Sequence, residues 1–320
     1  MTSATVSVVI VNTNHVDLLR QCLTAVVGSQ LPANTEIIVV DNCSRDGSGT
    51  MVQSEFPMVK LLCQATRNGP AANYNTGFEA AVGDYLVVLN EDAEVEEDTL
   101  IKMYGFMENH PEIAVSGPRL TYPDGAPQTC CHRFPKISSV FKRLVLQSVF
   151  SGPWVHNQYQ QELANTAFEP DWIMATSLMI RRIAMEQTGH YDEQFVIYYE
   201  ELELCKRLRD KGWKVAWVPE AVVKHHHGVS NFKLKGERDI TFRLLLYQSR
   251  YRYFAKHYGA IYCGAVRGLE AILFLLFRLK TGLESGIPAR RESAQMKSLL
   301  YSRLAAYALT LRGCPELPQG

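Results

Sequence analysis

The chain has 320 residues, 47% of them hydrophobic and 21% charged, with 33 basic against 33 acidic side chains. That is too apolar for disorder, too poor in Pro and Gly for a fibrous protein, and long enough for about two domains whose core needs no disulfide. A pI near 7.1 disfavours a nucleic-acid partner, which would ask for a strong basic excess.

The first ninety residues predict alternating strands and helices. Val6–Val11 (VSVVIV) is a short, continuous β-branched run, as in a parallel strand buried on both faces. Asp17–Val27 has helical spacing, and Glu36–Val40 (EIIVV) is a second buried strand ending at Asp41-Asn42. A helix over Gly47–Glu55, a strand over Val59–Cys63, a helix over Asn73–Ala81 and a strand over Tyr85–Leu89 (YLVVL) complete the pattern. Such alternation predicts an α/β doubly wound, mostly parallel sheet, whose ligands bind beyond the carboxyl ends of the strands. Asn12–Asn14, Asp41 and Asn90-Glu91-Asp92 fall there.

Further along, the pattern predicts a helix over Asp98–Asn109, a strand near Ala114–Gly117, a mixed apolar and basic segment over Ser138–Val149, and one strand over Trp172–Arg181. Tyr199–Lys211 reads as a helix and Lys214–Val218 as a strand, followed by a loop carrying His225-His226-His227. Beyond Asn231 the chain reads as helices interleaving Arg, Lys and aromatics.

Charge is segregated. Residues 1–223 hold 17 Lys/Arg and 27 Asp/Glu, whereas residues 224–320 hold 16 and 6. An acidic cation-binding body with a tail for an anionic surface fits this split; so does a basic helical face that merely neutralises the body. Eight Cys without a C-x-x-C pair read as reduced cytosolic thiols. The N-terminus lacks the basic region of a signal peptide. The most apolar stretch, Tyr262–Leu279, is interrupted by Arg267, Glu270 and Arg278, so peripheral membrane attachment is the most it predicts.

Three clusters could carry chemistry. Asn90-Glu91-Asp92 at a strand tip suits a hard divalent cation, or else forms a solvated loop whose following acids cap a helix. Glu200, Glu201 and Glu203 follow Phe195, Tyr198 and Tyr199; they are either helix-dipole complements or carboxylates that aromatic neighbours desolvate into better bases. Of three consecutive His, at most two could share one site. P-loop, dinucleotide-binding and serine-hydrolase signatures are missing from the sequence.

Taken in order, VSVVIVNTN, IIVVDNCSRDGS, NYNTGFEAAVGDYLVVLNEDAEV, GPRLTYPDG, CHRFP, DWIMATSLMIRR and YDEQFVIYYEELELCKRLRDKGWKVAWVPEAVVKHHHGVS resemble family 2 glycosyltransferases of the GT-A fold, in their rhamnosyltransferase-like branch. The match runs from Val6 to about Tyr258. The resemblance implies a nucleotide-sugar-binding half over residues 1–92, an acceptor-binding half over 93–232, and a basic helical extension over 233–320. It implies an inverting transfer of a sugar, rhamnose by the branch, from a dTDP- or UDP-linked donor to a hydroxyl of a polysaccharide or lipid-linked glycan precursor.

Residue by residue, the resemblance puts Asn12, Asn14, Asp41, Asn68, Asn75, Gly77 and Asn90 at the nucleotide-sugar. Asp92 and His225 would hold Mg²⁺ or Mn²⁺. Glu201 would be the general base beside Glu200, with Trp172, Ala175 and Thr176 at the acceptor. Glu201 replaces the usual Asp and Ala175 a usual Gly, departures that suit altered acceptor choice, or a non-catalytic sugar-nucleotide-binding or scaffold protein of a polysaccharide assembly complex. The implied location is cytoplasmic, with peripheral contact at the cytoplasmic face of the inner membrane. Arg243, Arg250, Arg252 and Lys256, with nearby aromatics, would dock there on anionic lipid or on a lipid-diphosphate acceptor.

Overall fold

The β-branched runs of the first ninety residues become the central strands because each buries both faces. Residues Val8–Ile10, Ile38–Val40 and Leu86–Leu89 are fully inaccessible in the computed structural model, which describes residues 6–139, 166–226, 237–285, 291–313 and 316. The strands are β1 (Val6–Asn12), β2 (Thr35–Asp41), β3 (Lys60–Cys63) and β4 (Tyr85–Asn90), hydrogen-bonded in parallel in the order β3-β2-β1-β4. Three helices connect them: α1 (Val16–Gly28), α2 (Ser48–Glu55) and α3 (Pro70–Ala80). The last begins earlier than the spacing predicts, because Pro70 suits a first helical position.

Register decides what the strand tips share. Asn12 lies opposite Asp41, and Val11 opposite Asn90, so the polar ends of β1, β2 and β4 form one row. Two glycines let α3 come close: a Cβ on Gly77 would lie 2.2 Å from Val9 Cγ1, and one on Gly69 2.1 Å from the Val196 carbonyl oxygen.

Beyond β4 the sheet becomes mixed. β5 (Ala93–Val95), absent from the sequence reading, occupies residues expected to form a solvated loop. Helix α4 (Thr99–Asn109) leads into β6 (Ile113–Thr121), which pairs with β7 (Pro127–Gln128). The predicted strand over Trp172–Arg181 is instead two. β9 (Trp172–Ile173) pairs with β8 (Cys131–His132) as a separate ribbon, while β10 (Ser177–Arg181) runs antiparallel between β4 and β6. An apolar run reports burial, not which partner each half takes. Helices α5 (Arg182–Thr188) and α6 (Glu200–Asp210) precede β11 (Lys214–His225), which runs seven residues past its expected end and carries His225 out of the predicted loop.

Contacts divide the chain into two compact units. One gathers the described residues 6–134, 166–196 and 200–226; the other takes 135–139, 197–199 and the C-terminal helices. In the second, α7 (Glu237–Glu284) is broken at Gly259, whose φ of 85° belongs to the left-handed region open to glycine. Its two segments pack on α8 (Arg291–Thr310), Tyr251 stacking on Tyr307 and Phe277 on Tyr301. Arg250, expected at a lipid surface, is instead half-buried and engaged within this unit: its Nε donates to Glu270 Oε1 at 2.9 Å and another nitrogen to the Tyr199 hydroxyl. Arg243 is bonded to Asp239 one turn earlier. Of the segment over Ser138–Val149, residues 140–149 lie outside the described residues, as does His227.

Candidate active site

The first half of the site is the polar row at the carboxyl ends of β1, β2 and β4. Asn12, fully buried, donates from Nδ2 to Asp41 Oδ1 at 3.2 Å and to Ser44 Oγ at 3.0 Å, and its own Oδ1 has no hydrogen-bond partner. The Ser44 amide donates to Asp41 Oδ2. Asn14, with a φ of 56° that Asn tolerates, donates its N–H to Ser44 Oγ and accepts the Arg45 N–H at 2.7 Å. Asn42 received no role in the sequence reading. Its buried amide donates to Thr13 Oγ1 and the Asn68 carbonyl and accepts the Asn68 N–H, tying three strand-end loops together.

Asn75 is fastened elsewhere: Nδ2 donates to the Tyr191 carbonyl and Glu193 Oε1, and Oδ1 accepts the Tyr191 N–H. With Gly77 packed on Val9, these two residues have a structural occupation on α3, whatever the helix lines. Asn90 Oδ1 accepts the Tyr74 hydroxyl at 3.0 Å, and its backbone N–H donates to the Thr176 carbonyl at 3.0 Å.

The second half comes from the turn after β4. Asp92 is 4% exposed and stands 3.3 Å from His225 Nε2, through Oδ1. Antiparallel pairing of β5 with the end of β11 brings them together, by setting Ala93 opposite His225. Gln128 Oε1 lies 2.9 Å from His225 Nδ1 and orients the ring. Burial raises the Asp92 carboxyl, but the hydrogen bond and charge of His225 outweigh it and hold the group below its ordinary value. His226 turns instead to Glu94, which also takes Lys224, and Glu91 pairs with His15 at 2.7 Å.

The donor set fits a divalent cation that substrate helps to hold. Among the described residues, no three His, Cys, Asp or Glu side chains gather into a protein-only cation site. Mg²⁺ commonly takes one or two carboxylates plus substrate phosphates, and adjacent ligands around an octahedral ion with bonds of ~2.1 Å are about 3 Å apart. The separation of Asp92 and His225 is of that order.

The acidic cluster at the start of α6 separates into two kinds. Both oxygens of the buried Glu203 carboxylate accept from Arg207 Nε, and that guanidinium also donates to the carbonyls of Thr188, Gly189 and His190. Glu203 is therefore a structural anion. Glu200 and Glu201 each retain an oxygen, Oε2, that is buried without a partner. Burial and then the charge of Glu201 push the Glu200 carboxyl well above its ordinary value. Burial also raises Glu201, against the backbone N–H groups of Glu201, Ala175 and Leu202 that draw it down.

Both halves act on one phenol. Burial and then the charges of Glu91, Asp92 and Glu200, among others, raise the Tyr74 hydroxyl. The β9–β10 turn also joins them, since the Thr176 carbonyl holds Asn90 while the Ala175 N–H holds Glu201. Trp172 stacks on His132 with centroids 4.4 Å apart and donates Nε1–H to the Arg133 carbonyl.

The family model for glycosyl transferase family 2 matches residues 7–182, more than half of the chain. The chain belongs to that family. Among curated proteins, this transferase is 26% identical to the N-acetylglucosaminyl-diphospho-decaprenol L-rhamnosyltransferase of Mycobacterium tuberculosis (strain ATCC 25618 / H37Rv), over 59% of this chain and 66% of that protein. It is 25% identical to the O-antigen biosynthesis protein RfbC of Myxococcus xanthus, over 70% of this chain but 17% of that one. Solved structures with the same GT-A fold include GalNAc-T7 with UDP, GalNAc and Mn²⁺ (TM-score 0.55, 17% identity, 80% of this chain and 51% of that one). Another is the mannosyltransferase PcManGT from Pyrobaculum calidifontis with GDP-Man and Mn²⁺ (TM-score 0.55, 14% identity, 96% and 88%).

Proposed function

We propose that this family 2 transferase moves L-rhamnose from a dTDP- or UDP-linked donor, with inversion, to a hydroxyl of a lipid-linked glycan precursor at the cytoplasmic face of the membrane. The observation that carries the reading is the pair of carboxylates on buried Glu200 and half-buried Glu201, each with a buried oxygen lacking a partner, joined through the β9–β10 turn to the Asp92 tip. A protein that only held a nucleotide would gain nothing from two acids whose unpartnered oxygens are buried and cost stability at neutral pH. The rhamnosyltransferase relative, whose name carries a diphospho-decaprenol acceptor, supports the choice of sugar and acceptor class.

In this reading Asp41, with Asn12 and Asn14 around it, receives the pyrimidine, and the rim of Asn68 and Asn90 borders the donor. Asp92 and His225 hold Mg²⁺ or Mn²⁺, which when bound offsets the negative charge growing on the departing diphosphate. Glu201 takes the proton from the acceptor hydroxyl as that oxygen bonds to the anomeric carbon and the bond to the diphosphate breaks on the opposite face. Burial and the charge of Glu201 raise Glu200, which favours the proton on Glu200 beside an ionised Glu201. A single carboxylate base suffices because diphosphate leaves without a proton donor, unlike the alkoxides displaced in glycoside hydrolysis. Trp172, Ala175 and Thr176 border the acceptor.

The test is Glu201→Gln, assayed with dTDP-rhamnose and UDP-sugars on an N-acetylglucosaminyl-diphospho-polyprenol acceptor. Turnover should fall about 10²–10⁴-fold, the usual worth of a general base, while nucleotide affinity holds. Wild-type turnover by the Gln variant would remove Glu201 from the mechanism.

A further inference from the structure

The second segment of α7 carries an apolar stripe that the fold does not cover. Ile261, Ile272, Leu275, Leu276, Leu279 and Leu283 recur at helical spacing and are exposed, Ile261 by 93%, Leu279 by 67% and Leu283 by 83%. At 1.5 Å per residue, Ile261 to Leu283 spans about 33 Å. The opposite face of the same segment, Val266, Glu270, Ala271, Phe274 and Thr281 among others, is buried. Solvent-exposed helices ordinarily carry polar residues where this one carries Leu and Ile.

By length and composition, Asp239–Glu284 is apolar enough to cross a membrane. Two features argue for a helix that lies on a membrane over one that crosses it. Glu270, at the middle of the segment, is fully buried and paired with Arg250, and Arg267 donates to the carbonyls of Ala308 and Leu309 on α8. Ionisable groups at that depth are costly in a bilayer.

Charge decides between a lipid surface and a second copy. Exposed Arg278 and Lys280 lie within the stripe's C-terminal half, and Lys297 and Arg312 are exposed on and just after α8; Arg303 is engaged by Glu237. Over the same described stretch the accessible acids are half-buried Glu284 and exposed Glu292 and Glu316, of which only Glu284 adjoins the stripe. A two-fold interface through the stripe would set like charges against each other, whereas anionic headgroups would complement them.

We propose that residues 260–284 lie flat on an anionic bilayer, with the Ile261–Leu283 stripe inserted among the headgroups and acyl chains and Arg278 and Lys280 bound to lipid phosphate. The stripe replaces Arg250 as the membrane contact, because that side chain is engaged by Glu270 and Tyr199 within the helical unit. The inference goes beyond sugar transfer and uses none of the residues assigned to it.

Co-sedimentation of the full chain with vesicles of phosphatidylglycerol and phosphatidylcholine, against phosphatidylcholine alone, tests it. Wild type should pellet with the anionic vesicles and much less with the neutral ones. Leu279→Glu with Leu283→Glu, both at exposed positions, should lower the pelleted fraction at least tenfold without moving the melting temperature. Arg278→Glu with Lys280→Glu should lower it about tenfold. Wild type remaining in the supernatant, or a Leu279→Glu/Leu283→Glu variant that pellets normally, overturns the proposal. So does a lipid-free dimer that this variant splits, which would make the stripe a contact between copies. Failure here leaves sugar transfer from a soluble donor intact, and an inactive enzyme that still pellets leaves the lipid contact intact.

Discussion

Glu200 and Glu203, one turn apart on α6, show how little residue type says about role. Glu203 is matched by a guanidinium, and Glu200 feels the charge of Glu201 and keeps an oxygen unpartnered. The pH dependence of stability separates such acids. Folding raises Glu200 and Glu201 above the ordinary glutamate value near 4.5. Below that pH both states hold the protons and nothing is lost; above it the unfolded chain releases protons that the folded chain retains. Stability then falls by up to about 1.4 kcal/mol per pH unit for each group until the folded value is passed. Glu200→Gln should therefore raise the melting temperature at pH 8 and leave it unchanged at pH 4, in paired thermal melts. Asp92 has the opposite sign. Its folded value is depressed, so its contribution is present above about 3.8, the model-compound value, and is lost as pH falls through the folded value. Asp92→Asn should cost about 1–3 kcal/mol at pH 7, the worth of a charged hydrogen bond, and little at pH 3. The strand-tip residues Asn12, Asp41 and Asn90 were legible because a polar residue ending a buried apolar run is conspicuous. Asn42, Gln128 and Tyr74 were not, since each is defined by the partner it meets.

The long parallel strands and the helices between them follow from patterning, as in β1, β2 and β4, whose bounds match the apolar runs within a residue or so. Short elements escape it. Three residues of β5 carry no periodicity, yet their pairing with β11 delivers His225 to Asp92. The run over Trp172–Arg181 reads as one strand, but Met174–Thr176 turns there and gives the two halves to different sheets. Helix α6 starts a residue later than its spacing suggests because Tyr198 and Tyr199 have φ of 63° and 73°. Such angles are rare for bulky residues and cost about 1–3 kcal/mol each, so packing must hold them. Within the helical unit Tyr198 packs on Ile197, Phe242 and Leu245, and the Tyr199 hydroxyl meets Arg250. Arg207 plays the equivalent part for α6, clamping Glu203 and the turn after α5. Arg207→Ala strands a buried carboxylate and three carbonyls and should cost about 3–5 kcal/mol in urea unfolding. Replacing both members, Arg207→Met with Glu203→Leu, should recover the part due to the stranded carboxylate and leave the part due to the three carbonyls.

At the scale of the molecule, donor, cation and fold are linked. A nucleotide that binds the native chain through a cation at Asp92 and His225 raises apparent stability by about 2.7 kcal/mol at a hundredfold excess over its Kd. Thermal melts with UDP or dTDP and Mn²⁺ should show that gain, melts with the nucleotide lacking the metal should lose most of it, and Asp92→Asn should abolish the difference. Equal stabilisation with and without Mn²⁺ would separate nucleotide binding from the Asp92 tip. The sequence by itself determined the alternation of strand and helix, the acidic body and basic C-terminal region, and the family, because side-chain period and local motifs are written into consecutive residues. Only the tertiary structure decided which acids stay without a partner, that His225 reaches Asp92, that Arg250 is internal, and that a stripe of leucines faces outward. Burial and pairing are properties of residues far apart in the chain, and folding alone brings them within a few ångströms.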